Sequence, residues 1–297
     1  MKKKILYMLL CFAIILMIMP GTTYADMGPK PSVVIDFKGL EHEKYYVTLL
    51  SKFPSTGPHS VLNENKNNQR YHEGDEKYEI WKKFLSYKDK DGFYFLQYFT
   101  DCTDTSKFVW GYFPPSKFKI LLYFPEHDRY IESEEVYERY AFDSYFKVNA
   151  KDLDIKSITN NDIKAEKNYD YSWELLSLFV RIIATVAIEV MIALMFGFRA
   201  KKQIYFIAAV NIVTQSILNI LLNIINYNQG SMMFVFNYIW MEVLVLFIET
   251  VIYSAFLYKY SSKESTKKWI IPLYAITANA VSFVAGLYIT HLIPGIF

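Results

Sequence analysis

The stretch QIYFIAAVNIVTQSILNILLNIIN, residues 203–226, decides how the chain is read. It is apolar over the roughly 20 residues that a helix needs to cross a hydrocarbon core. It nevertheless carries Asn211, Gln215, Asn219 and Asn223, one every four residues. On a helix that spacing makes a single polar stripe that winds slowly around the axis. Such a stripe does not face lipid, so the segment is read as one member of a bundle whose polar residues turn toward its own centre.

Outward from it lie three more apolar stretches, at about 173–198, 233–258 and 269–292. The first carries Arg181 and Glu189, the third Glu242 and Glu249, and the fourth Asn279 and Ser282. Glu242 and Glu249 are seven residues apart and share a face. A charge near a bilayer centre costs about 2.5 to 3.5 kcal/mol even on lenient insertion scales, so these side chains are expected to meet one another or a wet cavity. With a rise of about 1.5 Å per residue, Arg181 and Glu242 fall at one depth, and an ion pair between the first and third spans is expected. Glu189 and Glu249 fall at a deeper level with Asn211, without a cationic partner. The amide stripe and Asn279 also read as simple glue between helices, and Ala278, Ser282 and Gly286 as close-packing small residues.

The connectors set an expected orientation. Arg199, Lys201 and Lys202 follow the first span, and Lys259, Lys263, Lys267 and Lys268 follow the third, whereas Tyr227 to Ser231 has no charge. Basic connectors stay in the cytoplasm, which places the other connector and the C-terminus outside. At the start, Lys2 to Lys4, the apolar run Ile5 to Met19 and the ending Thr23-Tyr24-Ala25 form a secretory signal with cleavage expected after Ala25, an uncleaved anchor being the alternative. Either way the following segment is exported, in agreement with the connectors. Cys11 lies inside the signal and is not placed as a lipidated terminus.

The domains expected are thus a signal at 1–25, an exported domain at 26–150, a tether at 151–170 and the four-helix transmembrane domain at 171–297. Residues 26–170 hold 21 Lys/Arg against 25 Asp/Glu, and residues 171–297 hold 8 against 5. Neither part is basic enough for a nucleic-acid surface. Short runs rich in Val, Ile, Tyr and Phe, at Ser32–Phe37, Lys44–Leu50, Gly92–Phe99, Lys107–Phe113, Phe118–Phe124 and Ala141–Val148, read as strands. Turn residues punctuate them, among them Pro54, Gly57, Pro58, Pro114 and Pro115. A β-rich antiparallel sandwich or barrel is expected, with one helix at Glu76–Tyr87, a loop at Asn63–Glu76, and an all-α bundle following.

Little in the exported domain carries chemistry. His42, His59, His72 and His127 lack zinc spacing, and no nucleophile motif occurs. Asp89, Asp91 and Gly92 read as a hairpin turn rather than a calcium loop. Glu132, Glu134, Glu135 and Glu138 read as a solvated acidic face. No metal or cofactor is expected, and Cys102, the one cysteine after the signal, has no partner for an internal disulfide.

The mature start Asp26-Met27-Gly28-Pro29-Lys30-Pro31-Ser32, with Tyr45-Tyr46-Val47-Thr48-Leu49-Leu50, Tyr123-Phe124-Pro125-Glu126 and Glu138-Arg139-Tyr140-Ala141-Phe142-Asp143-Ser144, resembles a group of uncharacterised exported multi-span membrane proteins of Gram-positive bacteria. The resemblance covers most of the chain and implies no activity. The expectation is a non-enzymatic protein of the bacterial cytoplasmic membrane whose exported domain binds or senses an envelope ligand or a membrane protein partner. The alternative is an ion or proton transport component built on Arg181, Glu189, Asn211, Gln215, Asn219, Glu242, Glu249 and Asn279. So small a bundle would then be expected to form a homo-oligomer.

Overall fold

The computed structural model describes residues 28–53, 71–155, 162–260 and 268–292. The expected signal with Cys11, Asp26 and Met27, the turn at Pro54, Gly57 and Pro58, His59, part of the 63–76 loop, residues 156–161 of the tether, and Lys263 and Lys267 lie outside them. The chain divides into two compact units, a β unit at Pro29–Tyr169 and a helical unit that runs on from Asp170.

In the β unit, one sheet has the order β4-β1-β8-β9, made of β4 (Lys107–Trp110), β1 (Ser32–Lys38), β8 (Asp143–Asn149) and β9 (Ala165–Lys167). The other has the order β3-β2-β5-β6, from β3 (Tyr94–Asp101), β2 (Tyr46–Ser51), β5 (Lys117–Phe124) and β6 (Arg129–Glu132), with β7 (Tyr137–Glu138) pairing on β5. All pairs are antiparallel except β1 with β8, which run parallel. The whole second sheet intervenes in sequence between β1 and β8, and so long a crossover permits the parallel return that a hairpin cannot make. The expected tether is also shorter than the sequence suggested, since Ala165–Lys167 pairs with β8.

Two cores hold the unit together. Between the sheets pack Ile35, Phe37, Phe146 and Val148 from one side and Leu49, Leu96, Ile120 and Leu122 from the other. On the far face of the second sheet lies α1 (Tyr78–Ser86), whose Trp81 and Phe84 meet Phe95, Phe99, Leu121 and Tyr123. Phe84 stacks on Phe95 with ring centroids 5.3 Å apart. Covering both faces explains why every residue of β2 is buried. The aromatic run Phe93 to Phe99 is divided between these cores rather than displayed. Cys102 is fully buried, and burial pushes its thiol up to about 12, so it is an inert core residue.

One charged cluster sits inside the β unit. Lys119 Nζ lies 2.8 Å from Asp89, 2.6 Å from Asp91 and 2.6 Å from Glu132, and Tyr87 donates to Glu132. Glu132 therefore belongs to a buried network and not to a solvated acidic face. Burial opposes ionisation of Asp89, but hydrogen bonds with Glu132, Lys119 and the Phe93 amide outweigh it and hold the carboxyl well below its usual range. Burial, followed by the hydrogen bond with Asp89, pushes Glu132 upward.

In the helical unit, α2 (Tyr171–Met195), α3 (Lys201–Gln229) and α4 (Ser231–Phe256) belong to three helical segments long and apolar enough to cross a membrane. A fourth helix, α5 (Ile270–Leu292), is apolar over Ile270–Gly286. Asp170 starts α2 by accepting from the Trp173 amide at 3.0 Å, as an N-cap does. Gly230 alone separates α3 from α4, with φ of +84°, a conformation that favours glycine. Contacts run α2 to α3, α3 to α4, α4 to α5 and α5 back to α2, so the four helices close a ring with α2 diagonal to α4. Its surface is inverted relative to a water-soluble protein. Phe179, Ile183, Ile220, Val235 and Val243 are exposed, while Arg181, Glu189, Asn211, Gln215 and Glu249 are buried.

Replacing Lys119 by Met leaves Asp89 and Glu132 buried without their cation, and should destabilise the β unit by about 3 to 5 kcal/mol in denaturant unfolding followed by tryptophan fluorescence. Asp89 has its carboxyl depressed on folding, so its contribution is present above its unfolded value of about 3.9 and is lost as pH falls toward the folded value. The stability gap between wild type and Asp89→Asn should accordingly be widest near neutrality and narrow below about pH 4. A gap independent of pH would contradict this assignment.

Candidate functional site

Two apolar clusters in the ring are separated along its axis by a polar layer. One cluster gathers Ile192, Phe198, Ile207, Tyr253, Leu257 and Tyr274 around the end where α2 finishes and α3 begins. The other gathers Leu218, Leu222, Tyr238, Met241 and Val245. Glu189, Asn211, Thr214, Glu249, Asn279 and Ser282 fall between them in position along their helices. Helical periodicity puts them there: each is the polar exception on the inward stripe of an otherwise apolar helix.

The hydrogen bonds of this layer cross between helices. Thr214 on α3 donates from Oγ1 to Glu249 Oε1 on α4 at 2.6 Å, and Asn279 on α5 donates from Nδ2 to Glu249 Oε2 at 2.9 Å. Asn211 on α3 donates to Tyr253 Oη on α4 at 2.8 Å. Tyr274 on α5 reaches the Glu189 carbonyl oxygen on α2 at 3.4 Å. Glu249 thus receives a donor for each carboxyl oxygen. Glu189 differs. It is fully buried, and neither of its carboxyl oxygens has a close, well-aligned hydrogen bond among the described residues, the nearest donors being the side chains of Asn211 and Ser282. Asn211, Ser282 and Glu249 are the polar groups closest in influence around it.

Arg181 occupies a separate level. Its guanidinium donates to Ser177 Oγ at 3.1 Å and to Asn223 Oδ1 at 3.4 Å, and lies 5.7 Å from the centre of the Phe234 ring. The expected ion pair with Glu242 is not among the ion pairs of the described residues. The physical reason is the ring: α2 and α4 are diagonal, and the guanidinium is taken up by its own helix, by the adjacent α3 and by an aromatic face. Glu242 is only partly buried, with Tyr238 one turn away as the polar group at its carboxyl. Glu242 therefore sits at the edge of the layer, near enough for its charge to bear on Glu189 and Glu249.

The other expected positions divide by depth. Glu189, Asn211, Glu249 and Asn279 come together, while Gln215 and Asn219 are buried and pair with each other, Asn219 Nδ2 lying 2.8 Å from the Gln215 carbonyl oxygen and 3.4 Å from its Oε1. Sequence reading missed Thr214, Tyr253 and Tyr274. Tyr253 could have been found, because it lies four residues beyond Glu249 and so shares its face. Thr214 is three residues beyond Asn211 and was hidden by reading the amide stripe at strict intervals of four.

The β unit offers one shallow concavity of about 300 Å³, lined by Lys52, Phe53, Asp91, Phe93, Lys117 and Val136. Phe53 and Val136 are exposed at its rim, and Lys52 and Lys119 both lie over the Phe93 ring. Lys117 pairs with Glu138 there. Among the described residues no group of three or more His, Cys, Asp or Glu is placed to hold a metal ion.

The architecture is that of a β-rich domain joined to a helical bundle with three segments long and apolar enough to cross a membrane. No family model, no curated protein and no solved structure matches the chain.

Two double-mutant cycles check the arrangement. Glu249→Gln with Asn279→Leu should couple by more than about 0.5 kcal/mol, whereas Arg181→Met with Glu242→Gln should be additive within that figure. Thermal unfolding of the detergent-solubilised chain gives both values, and strong coupling in the second cycle would restore the ion pair.

Proposed function

We propose that this is a multi-span protein of the bacterial cytoplasmic membrane, with residues 26–170 and the C-terminus outside, whose bundle takes up a proton or a small cation as part of a transport or permeation function. The observation that carries this is Glu189: a completely buried carboxyl group with no close hydrogen bond to either oxygen among the described residues, beside a second carboxyl group, in a layer walled by apolar clusters. Glue between helices would pair such a group, as Glu249 is paired. An intramembrane acid without a close hydrogen bond is the usual mark of an ion or proton pathway. The basic connectors and the resemblance to exported multi-span proteins of Gram-positive bacteria support the orientation. All four helices span the bilayer in this reading, and a homo-oligomer would widen what a four-helix unit encloses.

Proteoliposomes carrying the purified chain should dissipate an imposed proton or alkali-cation gradient, read by an entrapped fluorescent indicator. Glu189→Gln and Glu249→Gln should each slow this at least about tenfold, as loss of a group acting directly on the ion would. Wild-type vesicles as tight as empty ones would remove the reading.

A second role belongs to the β unit, as a binding domain for an envelope ligand without catalysis. The concavity at Phe53, Phe93 and Val136 favours it, because an apolar floor flanked by Lys52 and Lys117 suits a molecule with an apolar body and an anionic group. Immobilised full-length protein should retain anionic cell-wall polymer from an envelope extract, and Lys52→Glu with Phe53→Ser should lower retention several-fold. Equal retention by wild type and variant would argue against the site.

A further inference from the structure

The amide groups of the polar layer are oriented by the backbone. Asn211 Nδ2 lies 3.1 Å from the Ile207 carbonyl oxygen and Asn279 Nδ2 lies 3.1 Å from the Ala275 carbonyl oxygen. A carbonyl oxygen only accepts, so in each case the NH2 end of the amide must be the end that faces it. The second donor of each NH2 group is engaged as well, by Tyr253 Oη and by Glu249 Oε2. What remains is a set of acceptors. Oδ1 of Asn211, Oδ1 of Asn279 and both carboxyl oxygens of Glu189 are buried without a hydrogen bond among the described residues.

The charge balance is equally one-sided. The layer contains no lysine or arginine, and Arg181 is eight residues from Glu189 along α2, about 12 Å at the helical rise. Glu249 has a donor on each carboxyl oxygen, from Thr214 and Asn279, whereas Glu189 has no close hydrogen bond on either, so Glu189 is the carboxyl group left open to a cation. Each buried acceptor left unpaired is costly, and one proton joins at most two oxygens. A hard cation gathers several carboxyl and amide oxygens at once. These four open oxygens are fewer than the roughly six to eight that calcium takes, and magnesium holds its water more tightly than a site enclosed by apolar side chains can offset.

We propose that Glu189, with the side-chain oxygens of Asn211 and Asn279, forms an occluded binding site for one small monovalent hard cation, of which sodium is the probe. The inference rests on the bundle being a cation- or proton-binding element, and it names the species. Tyr253 and Tyr274 close the layer on the side of the Phe198 cluster, and Leu218, Tyr238 and Met241 close it on the other, so the ion is held out of contact with either aqueous phase. The ionisable groups facing Glu189 are Glu249 and Glu242 from α4, with Tyr253 from α4 and Tyr274 from α5 beyond them.

The test uses the full-length chain in detergent. Its thermal midpoint is measured in sodium chloride against choline chloride at equal ionic strength and fixed pH, and binding of radioactive sodium is measured at equilibrium. Sodium should raise the wild-type midpoint along a saturating curve, with one ion bound per chain. Glu189→Gln should abolish both signals, and Asn211→Leu should shift the half-saturating concentration upward at least about tenfold. Should Glu189→Gln not fold, Asn211→Leu and the wild-type stoichiometry decide the matter. A midpoint that responds to pH but not to sodium means that the site takes protons only, which overturns the cation site and leaves the broader function standing. Sodium binding that survives Glu189→Gln places the ion elsewhere and also overturns it. Silence toward both sodium and pH removes both readings together.

Discussion

The helical unit is organised around the cost of keeping carboxyl groups away from water. Glu189 and Glu249 come from diagonal helices of a four-membered ring, and every neighbouring helix contributes something to the space between them: Asn211 and Thr214 from α3, Asn279 and Ser282 from α5. The ring is what makes their burial possible, since no single pair of helices could enclose both groups. The same constraint explains the inverted surface, in which isoleucine, phenylalanine and valine face outward while amides and acids face in. An ordinary core would be stabilised by filling this layer with leucine. The retention of acids there is the feature that a purely mechanical role leaves unexplained.

The β unit meets the opposite requirement by ordinary means. It has two apolar cores, and its one buried cation, Lys119, is met by Asp89, Asp91 and Glu132 on strands and turns brought together by the second sheet. Its buried carboxyl groups, Asp89 and Glu132, have Lys119 beside them, and Glu189 has no such cation among the described residues. The contrast between the two units is therefore chemical as well as structural: one sets its buried carboxyl groups against a lysine, and the other buries Glu189 among amides and a second acid.

Much of this was legible in the chain, and the failures have physical causes. The six expected strands and the helix around Ile80 and Phe84 all form, because alternation and turn residues are local signals. The missed strands are those without such a signal: Arg129–Glu132, Tyr137–Glu138 and Ala165–Lys167 are only two to four residues long and rich in charged residues. Glu132 was misread for the same reason, since nothing near it announces Lys119. In the bundle, spacing along each helix identified the inward residues correctly for Glu189, Asn211, Gln215, Asn219, Glu249 and Asn279. Spacing could not tell which helices are adjacent. That is why Arg181 was matched with Glu242 across the diagonal, when Ser177, Asn223 and Phe234 were the partners within reach.

The single-residue turn at Gly230 has a mechanical corollary. With no slack between them, α3 and α4 form one stiff leaf, and the bonds from Thr214 to Glu249 and from Asn211 to Tyr253 lie wholly within that leaf. The contact from Asn279 to Glu249 instead bridges the leaf to α5. A parting of that leaf from α5 would therefore break the Asn279 bridge while leaving the leaf's own internal stitching whole.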